Sequence, residues 1–536
     1  MKRTLWILLP LLSACSQLTT PSQPEPDGHT LNETQLHADI RELASDRYQG
    51  RLPTTEGETL TLAYLQSRFE QMGLKPGNGD SYLQPVPMRR LKTTGAKLTI
   101  DGQPQRYLFD MVLNSFSDAP TVNLSASELV FVGYGINAPE YQWNDYAGLD
   151  VKGKTVVMLV NDPGFASEDP ALFRGTTMTY YGRWDYKFAE AGRQGAAAAL
   201  IIHDTRPASY PWMVVQNSWT GPQLDLANSQ DPHPMLEGWL TKDAARAVLA
   251  RAGEDLDTLT AQATEQPMHR RLGLTVDAAL NQTIDFATSH NVVALLPGIE
   301  AAEEEVIYTA HWDHIGAQGE EIYNGAMDNA TGIAALLALA DAFSQGPQPR
   351  RSVRFLAVTG EEQGLLGSRY YAANPITPLG QVAGVFNVDS TNIYGRTRDY
   401  TLVGQGQSEL EQLLIDATTE QGRHISPEAR PGAGSYYRSD HFSFVRQGVP
   451  SVYARGGQIP WDDATAQYKS AMQARVKGCY HGPCDTYHPD WDLSGTLQDI
   501  SVYLEAGRAL AEGESWPGFL PGSEFFPLRP AGDAAP

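Results

Sequence analysis

An α/β protein with a mixed, mainly parallel central sheet flanked by helices is predicted on three observations. Residues 306–310 (VIYTA) form a short β-prone run, and after a polar loop residues 329–343 place Ile333, Leu336, Leu337 and Ala340 at helical spacing. Two further β-rich runs, residues 352–359 (SVRFLAVT) and 381–388 (QVAGVFNV), end as the first does in residues able to hold a metal. Such ends gather on one side of an open parallel sheet. From Glu128, short β-rich runs alternate with Gly turns and one Ala-rich helix, so residues 126–285 read as a separate small α/β or β-rich module.

In chain order, Lys2 and Arg3 precede an apolar run at residues 5–12 that is too short to span a bilayer and fits a signal-peptide core. Leu12-Ser13-Ala14-Cys15 resembles the lipobox of bacterial lipoproteins, with Cys15 carrying the lipid. Residues 1–14 are then a signal peptide and 15–30 a polar, Pro-bearing tether. Ser16 after the cysteine resembles lipoproteins sent to the outer membrane, so an exported, periplasm-facing protein is expected. No other run reaches the roughly 18 apolar residues of a span, which leaves the lipid as the one membrane contact expected.

Residues 31–125 begin the main fold. A helix starting at Asn32 aligns Leu36, Ile40 and Leu43, and a second aligns Leu62, Leu65, Phe69 and Met72 before Gly73. The module at 126–285 includes a helix at 241–252, and its His203, His233 and His269 lack carboxylates at ligand spacing, so they read as surface or core histidines. Strand and helix alternation resumes over residues 286–513. The Pro/Gly-rich residues 514–536 have no periodicity and read as a tail that hugs the surface or is disordered.

Composition narrows the function. A net charge of −23 lacks the basic surface that phosphate binding needs and excludes nucleic acid as the main partner. With Cys15 set aside, Cys479 and Cys484 remain, and an exported chain favours a short-loop disulfide between them over a zinc site.

The strand ends carry the chemistry: His311 after the first run, Glu361-Glu362 after the second, Asp389 after the third, with Asp328 at a helix start and the late His488. An adjacent Glu pair is usually a solvated face, and Glu304-Glu305 and Glu320-Glu321 read that way. Here, however, four carboxylates share one crevice and repel one another unless a cation is present. Residues i and i+2 leaving a strand point to the same side, so Asp313 can fix the His311 tautomer. The adjacent His314 lacks that support, which favours His311 as the ligand.

Residues 130–164 closely resemble the protease-associated domain inserted in a subset of zinc aminopeptidases. The ordered motifs AHWDHIG, NGAMDNATG, TGEEQGLLGS, NVDST, RSDHFSF and TYHPD resemble the co-catalytic dizinc aminopeptidase family, which includes glutamate carboxypeptidase, the non-catalytic transferrin receptor and, more distantly, glutaminyl cyclases. The resemblance spans residues 36–513 and implies the zinc exopeptidase fold with two zinc ions, other divalent metals being possible. It implies Asp328 as the bridge, His311 and Asp389 on one ion, Glu362 and His488 on the other, Glu361 as general base and Tyr487 as oxyanion donor. His481 in CYHGPC is the competing late histidine; the Tyr-His-Pro context favours His488, with the cysteine bridge bracing its loop. Asp440 and His441 are expected near the site, behind the ligands or facing substrate. The implied activity is hydrolysis of N-terminal residues from peptides, with cyclase or carboxypeptidase chemistry as alternatives on the same fold. A receptor-like binding protein is disfavoured because the ligand set is complete.

Overall fold

The computed structural model describes residues 31–229 and 231–529. Cys15 and the expected signal segment lie outside them. The C-terminal half of the sheet includes β1 (Arg270–Leu296), β2 (Ala301–His311), β3 (Arg351–Val358), β4 (Val382–Asn387) and β5 (Ser451–Gly456), in the spatial order β1-β3-β2-β4-β5. β3, β2, β4 and β5 are mutually parallel and β1 runs antiparallel to β3. Parallel central strands are covered on both faces and so read as unbroken apolar runs rather than alternating ones. β3 and β4 are buried at every position.

Successive side chains of β2 serve opposite faces. Val306, Tyr308 and Ala310 join the larger core under α1 (Glu33–Leu43), α2 (Glu56–Gln71), α3 (Thr331–Gln345) and α4 (Ser494–Glu512), while Ile307 joins Leu356, Val385 and Phe444 on the other face. α1 opens on Asn32, whose side chain accepts the Gln35 N–H, a standard cap. α2 ends before Gly73, whose φ of +74° lets the chain turn away. α3 is apolar nearly all round because it is buried nearly all round.

β1 is 27 residues long and ties the molecule together. It pairs with β3 at one end, with strand Leu83–Ile100 along most of its length, and with Thr121–Phe131 at the other. Beyond it Thr121–Phe131, Thr155–Leu159, Ala198–His203 and Leu236–Thr241 run parallel, making one continuous sheet of 16 strands. Their two faces carry cores around Leu200 and Ile201. The first of these also takes in Leu98, Ile100, Met111 and Leu113, so its packing begins well before residue 126.

Residues 514–529 pack onto the rest of the fold. Phe519 and Phe525 pack with Tyr436, Tyr437, Phe442 and Tyr453, and the Arg529 guanidinium donates to the Val382 and Ala383 carbonyls. The disordered alternative therefore does not hold for residues 514–529. The segment is fixed by irregularly spaced aromatic anchors, which leave no periodicity in the sequence.

Candidate metal centre

The parallel register brings the ends of β2, β3 and β4 side by side. His311 ends β2, Glu361 and Glu362 follow β3, and Asp389 follows β4. Asp328 reaches them from a turn ahead of α3 in which the Asp328–Asn329 peptide is cis. His311 Nε2 lies 3.3 Å from Asp328 Oδ1 and 3.5 Å from Asp389 Oδ1. A second group joins Asp328, Glu362 and His314, with His314 Nδ1 2.6 Å from Glu362 Oε1. Asp328 belongs to both.

Late in the chain it is His481 that completes this arrangement. Its Nε2 is 3.3 Å from Asp328 Oδ2 and 3.0 Å from Glu362 Oε2, facing two carboxylates with one nitrogen as a shared ion requires. His488 is elsewhere: its Nε2 is 3.4 Å from Thr486 Oγ1, and its ring lies beside Trp491. The structure therefore places His481, and not the expected His488, against these carboxylates. Both histidines follow a tyrosine, so the local context did not separate them. The separating signal was the Cys479–Cys484 bridge, formed with a Cα–Cα distance of 5.1 Å, which closes a tight loop around His481. Asp485, just after it, accepts the Met327 and Asp328 N–H groups and seats the loop on the Asp328 turn.

Tyr487 is displaced in the same way. Its hydroxyl meets His37 Nδ1 at 3.1 Å, and its ring packs edge-on to Trp491, so the expected oxyanion donor does not face the carboxylates. Tyr480 does. It stacks on His481 at 4.0 Å, and although the residue is 62% exposed its phenol is raised by desolvation and then by Asp328, Glu362 and Glu361.

The supporting shell is dense. His311 Nδ1 is 3.2 Å from the Asp313 carbonyl, which can only accept, so Nδ1 carries the proton and Nε2 is left as a ligand nitrogen. The Asp313 carboxylate, expected to do this job, is 3.7 Å away and instead accepts the Glu361 and Glu362 N–H groups, locking the β2 end to the β3 end. Asp389 Oδ2 accepts from Ser439 Oγ at 2.6 Å, and Ser439 in turn accepts from Asn387. Asp440 and His441 are fully buried near Asp389. Burial first, with Asp313 and Asp389 adding to it, pushes the Asp440 carboxyl up to about 7, while burial holds the His441 imidazole down at about 3.

The electrostatics fit a cation. Burial raises the Glu361 carboxyl well above its ordinary value, and Asp389, Asp440 and Glu362 push the same way against His311. Burial disfavours a charged His481, yet Asp328 and Glu362 prevail and hold it at about 10. A metal would displace that proton. His311 Nε2 is buried and makes no aligned hydrogen bond, facing only the Asp328 and Asp389 carboxylates, as a ligand nitrogen does before metal binding. Two imidazole–carboxylate groups sharing one aspartate suit a pair of divalent ions with N/O preference.

The His481 loop makes a direct prediction. Cys479→Ser, which opens the loop, weakens binding of one of two metal ions by about 10- to 100-fold, the range seen when outer supports of a ligand are removed. Metal titration of the variant against wild type measures it; unchanged affinity for both ions would show that Asp485 alone seats the loop.

Residues 291–504 match the family model described as Peptidase family M28. Leupeptin-inactivating enzyme 1 of Streptomyces exfoliatus is 31% identical over 215 residues, which cover 38% of this chain and 44% of that protein. The match therefore spans less than half the length of that relative. Probable leucine aminopeptidase 2 of Aspergillus fumigatus is 25% identical over 450 residues, covering 82% of this chain and 74% of its own. Among solved structures, an aminopeptidase from Aneurinibacillus sp. strain AM-1 has a TM-score of 0.50 at 19% identity, covering 92% of this chain and 95% of that one, a likeness of fold.

Proposed function

Because the chain belongs to Peptidase family M28 through residues 291–504, we propose that it is a two-metal aminopeptidase that removes N-terminal residues from peptides. The observation that carries this reading is that Asp328 is shared by two ligand groups. His311 and Asp389 would hold one ion with it, and Glu362 and His481 the other. Two zinc ions bound there would polarise the scissile carbonyl and acidify a water.

The chain's own residues do the rest. Glu361 follows the same strand end as Glu362, but its carboxylate is in neither ligand group, which leaves it free to take a proton from water and return it to the leaving amine. Asp313 holds Glu361 in place through its main-chain N–H at 3.0 Å. Tyr480, exposed at the edge of the site beside His481, would donate to the developing oxyanion. Carboxylates around the ions also offer an attachment for the substrate's α-ammonium, which favours an aminopeptidase over a carboxypeptidase. A glutaminyl cyclase would use one zinc, whereas this site has two groups.

The test is metal stoichiometry with turnover of a panel of aminoacyl arylamides, run beside a cyclisation assay on an N-terminal glutaminyl peptide. We expect two ions per chain, hydrolysis that chelation abolishes and zinc restores, and no cyclisation. One ion with cyclisation would replace the reading, and metal-independent hydrolysis would remove it.

A further inference from the structure

Arg51 is a fully buried cation behind the metal centre, on the short turn Asp46–Arg51 between α1 and α2. Its guanidinium donates four hydrogen bonds, each to a main-chain carbonyl. Nε reaches Trp312 O at 2.9 Å, Nη1 reaches Leu43 O and Asn324 O at 2.7 Å each, and Nη2 reaches Gly325 O at 2.9 Å. Trp312 lies between His311 and Asp313. Asn324 and Gly325 precede the turn that carries Asp328. One planar fork thus clasps the ends of two separate ligand-bearing segments and the C-terminus of α1.

The main chain repeats the clasp. Arg51 O accepts the His314 N–H at 3.4 Å, and Gly50 lies so close to the segment after His314 that a Cβ there would come within 2.4 Å of Tyr323 O and 2.6 Å of Gly316 O. The charges Arg51 feels are Asp485, Asp313, Asp328 and Glu362, all in or directly behind the site. Carbonyls could have been satisfied by a neutral donor, and a buried charge without a carboxylate in contact is costly. A fixed cation beside crowded carboxylates lowers their mutual repulsion before metal arrives.

We propose that Arg51 is a positioning residue for the metal centre: its guanidinium fixes His311 and Asp328 in mutual register and supplies a permanent positive charge behind the ligand carboxylates. This rests on the two-metal reading given above. A lysine would keep the charge but cannot direct donors to four carbonyls in one plane.

The experiment uses the full chain, as wild type, Arg51→Gly and Arg51→Lys, with zinc titration by calorimetry as first readout and leucyl arylamide turnover as second. Arg51 has φ +49°, a conformation glycine adopts freely, so Arg51→Gly leaves the backbone relaxed and a guanidinium-sized space. We expect zinc affinity to fall by about 10-fold or more in both variants, with kcat reduced more than KM is raised. Millimolar guanidinium should restore Arg51→Gly but not Arg51→Lys, and tetramethylammonium should restore neither. Wild-type zinc affinity in either variant overturns the proposal. So does a loss in Arg51→Gly that guanidinium does not recover, or failure of both variants to fold, since each would make Arg51 a residue of the fold alone. A wild type that binds fewer than two ions would instead overturn the metal reading itself, and this inference with it.

Discussion

Glu361→Gln is expected to keep both metal ions and lose at least about 100-fold in turnover, the lower range for removal of a general acid-base group. The separation of effects follows from position. His311, Asp328 and Asp389 make one candidate ligand group and His314, Asp328 and Glu362 the other, whereas Glu361 belongs to neither. Its backbone is held by Asp313 regardless of the side chain, so an isosteric amide leaves the scaffold intact and removes only the proton acceptor. Burial and three neighbouring carboxylates make a charged Glu361 unfavourable without cations, so the base can work only in the loaded centre. Metal analysis beside kcat for an aminoacyl arylamide checks both halves. Turnover close to wild type would mean that another group takes the proton; loss of metal would mean that Glu361 is a ligand.

The late histidines give the second large effect. His481→Ala should lose one of two ions and about 3 kcal/mol of transition-state stabilisation, roughly 100-fold in kcat/KM. His488→Ala should stay within about 0.5 kcal/mol of wild type, as a surface substitution does. The contrast is sharp because His481 Nε2 faces Asp328 and Glu362 directly, while His488 meets Thr486 and the Trp491 ring. Equal effects in the two variants, or a larger one in His488→Ala, would return the ligand role to His488. His314 also reaches Glu362, and a His481→Ala protein that still binds two ions would identify His314 as the ligand.

Much of this centre is legible in the sequence alone. Residues 306–310, 352–359 and 381–388 read as buried strands because an interior parallel sheet demands unbroken apolar runs, and each run ends where its functional residue begins. The residues with ambiguous local grammar were misread. Tyr480-His481 and Tyr487-His488 are near-identical dipeptides seven residues apart, and only the path of the disulfide loop decides which faces the carboxylates. The split role of Asp313 was also hidden. The i, i+2 rule placed it on the correct side, but its lone pairs went to the main chain of another strand's end. Arg51 gave no signal, since four carbonyl acceptors carry no side-chain identity.

The sequence by itself determined the α/β class, the strand order of the ligand-bearing residues along the chain and the acidic character of the crevice, because periodicity and residue chemistry are local properties. The tertiary structure alone decided which late histidine and tyrosine meet Asp328, what steadies His311, and that a buried arginine clasps the segments beneath. Those choices depend on loops whose course is set by contacts between residues hundreds of positions apart, such as Arg51 with Gly325 and Met327 with Asp485.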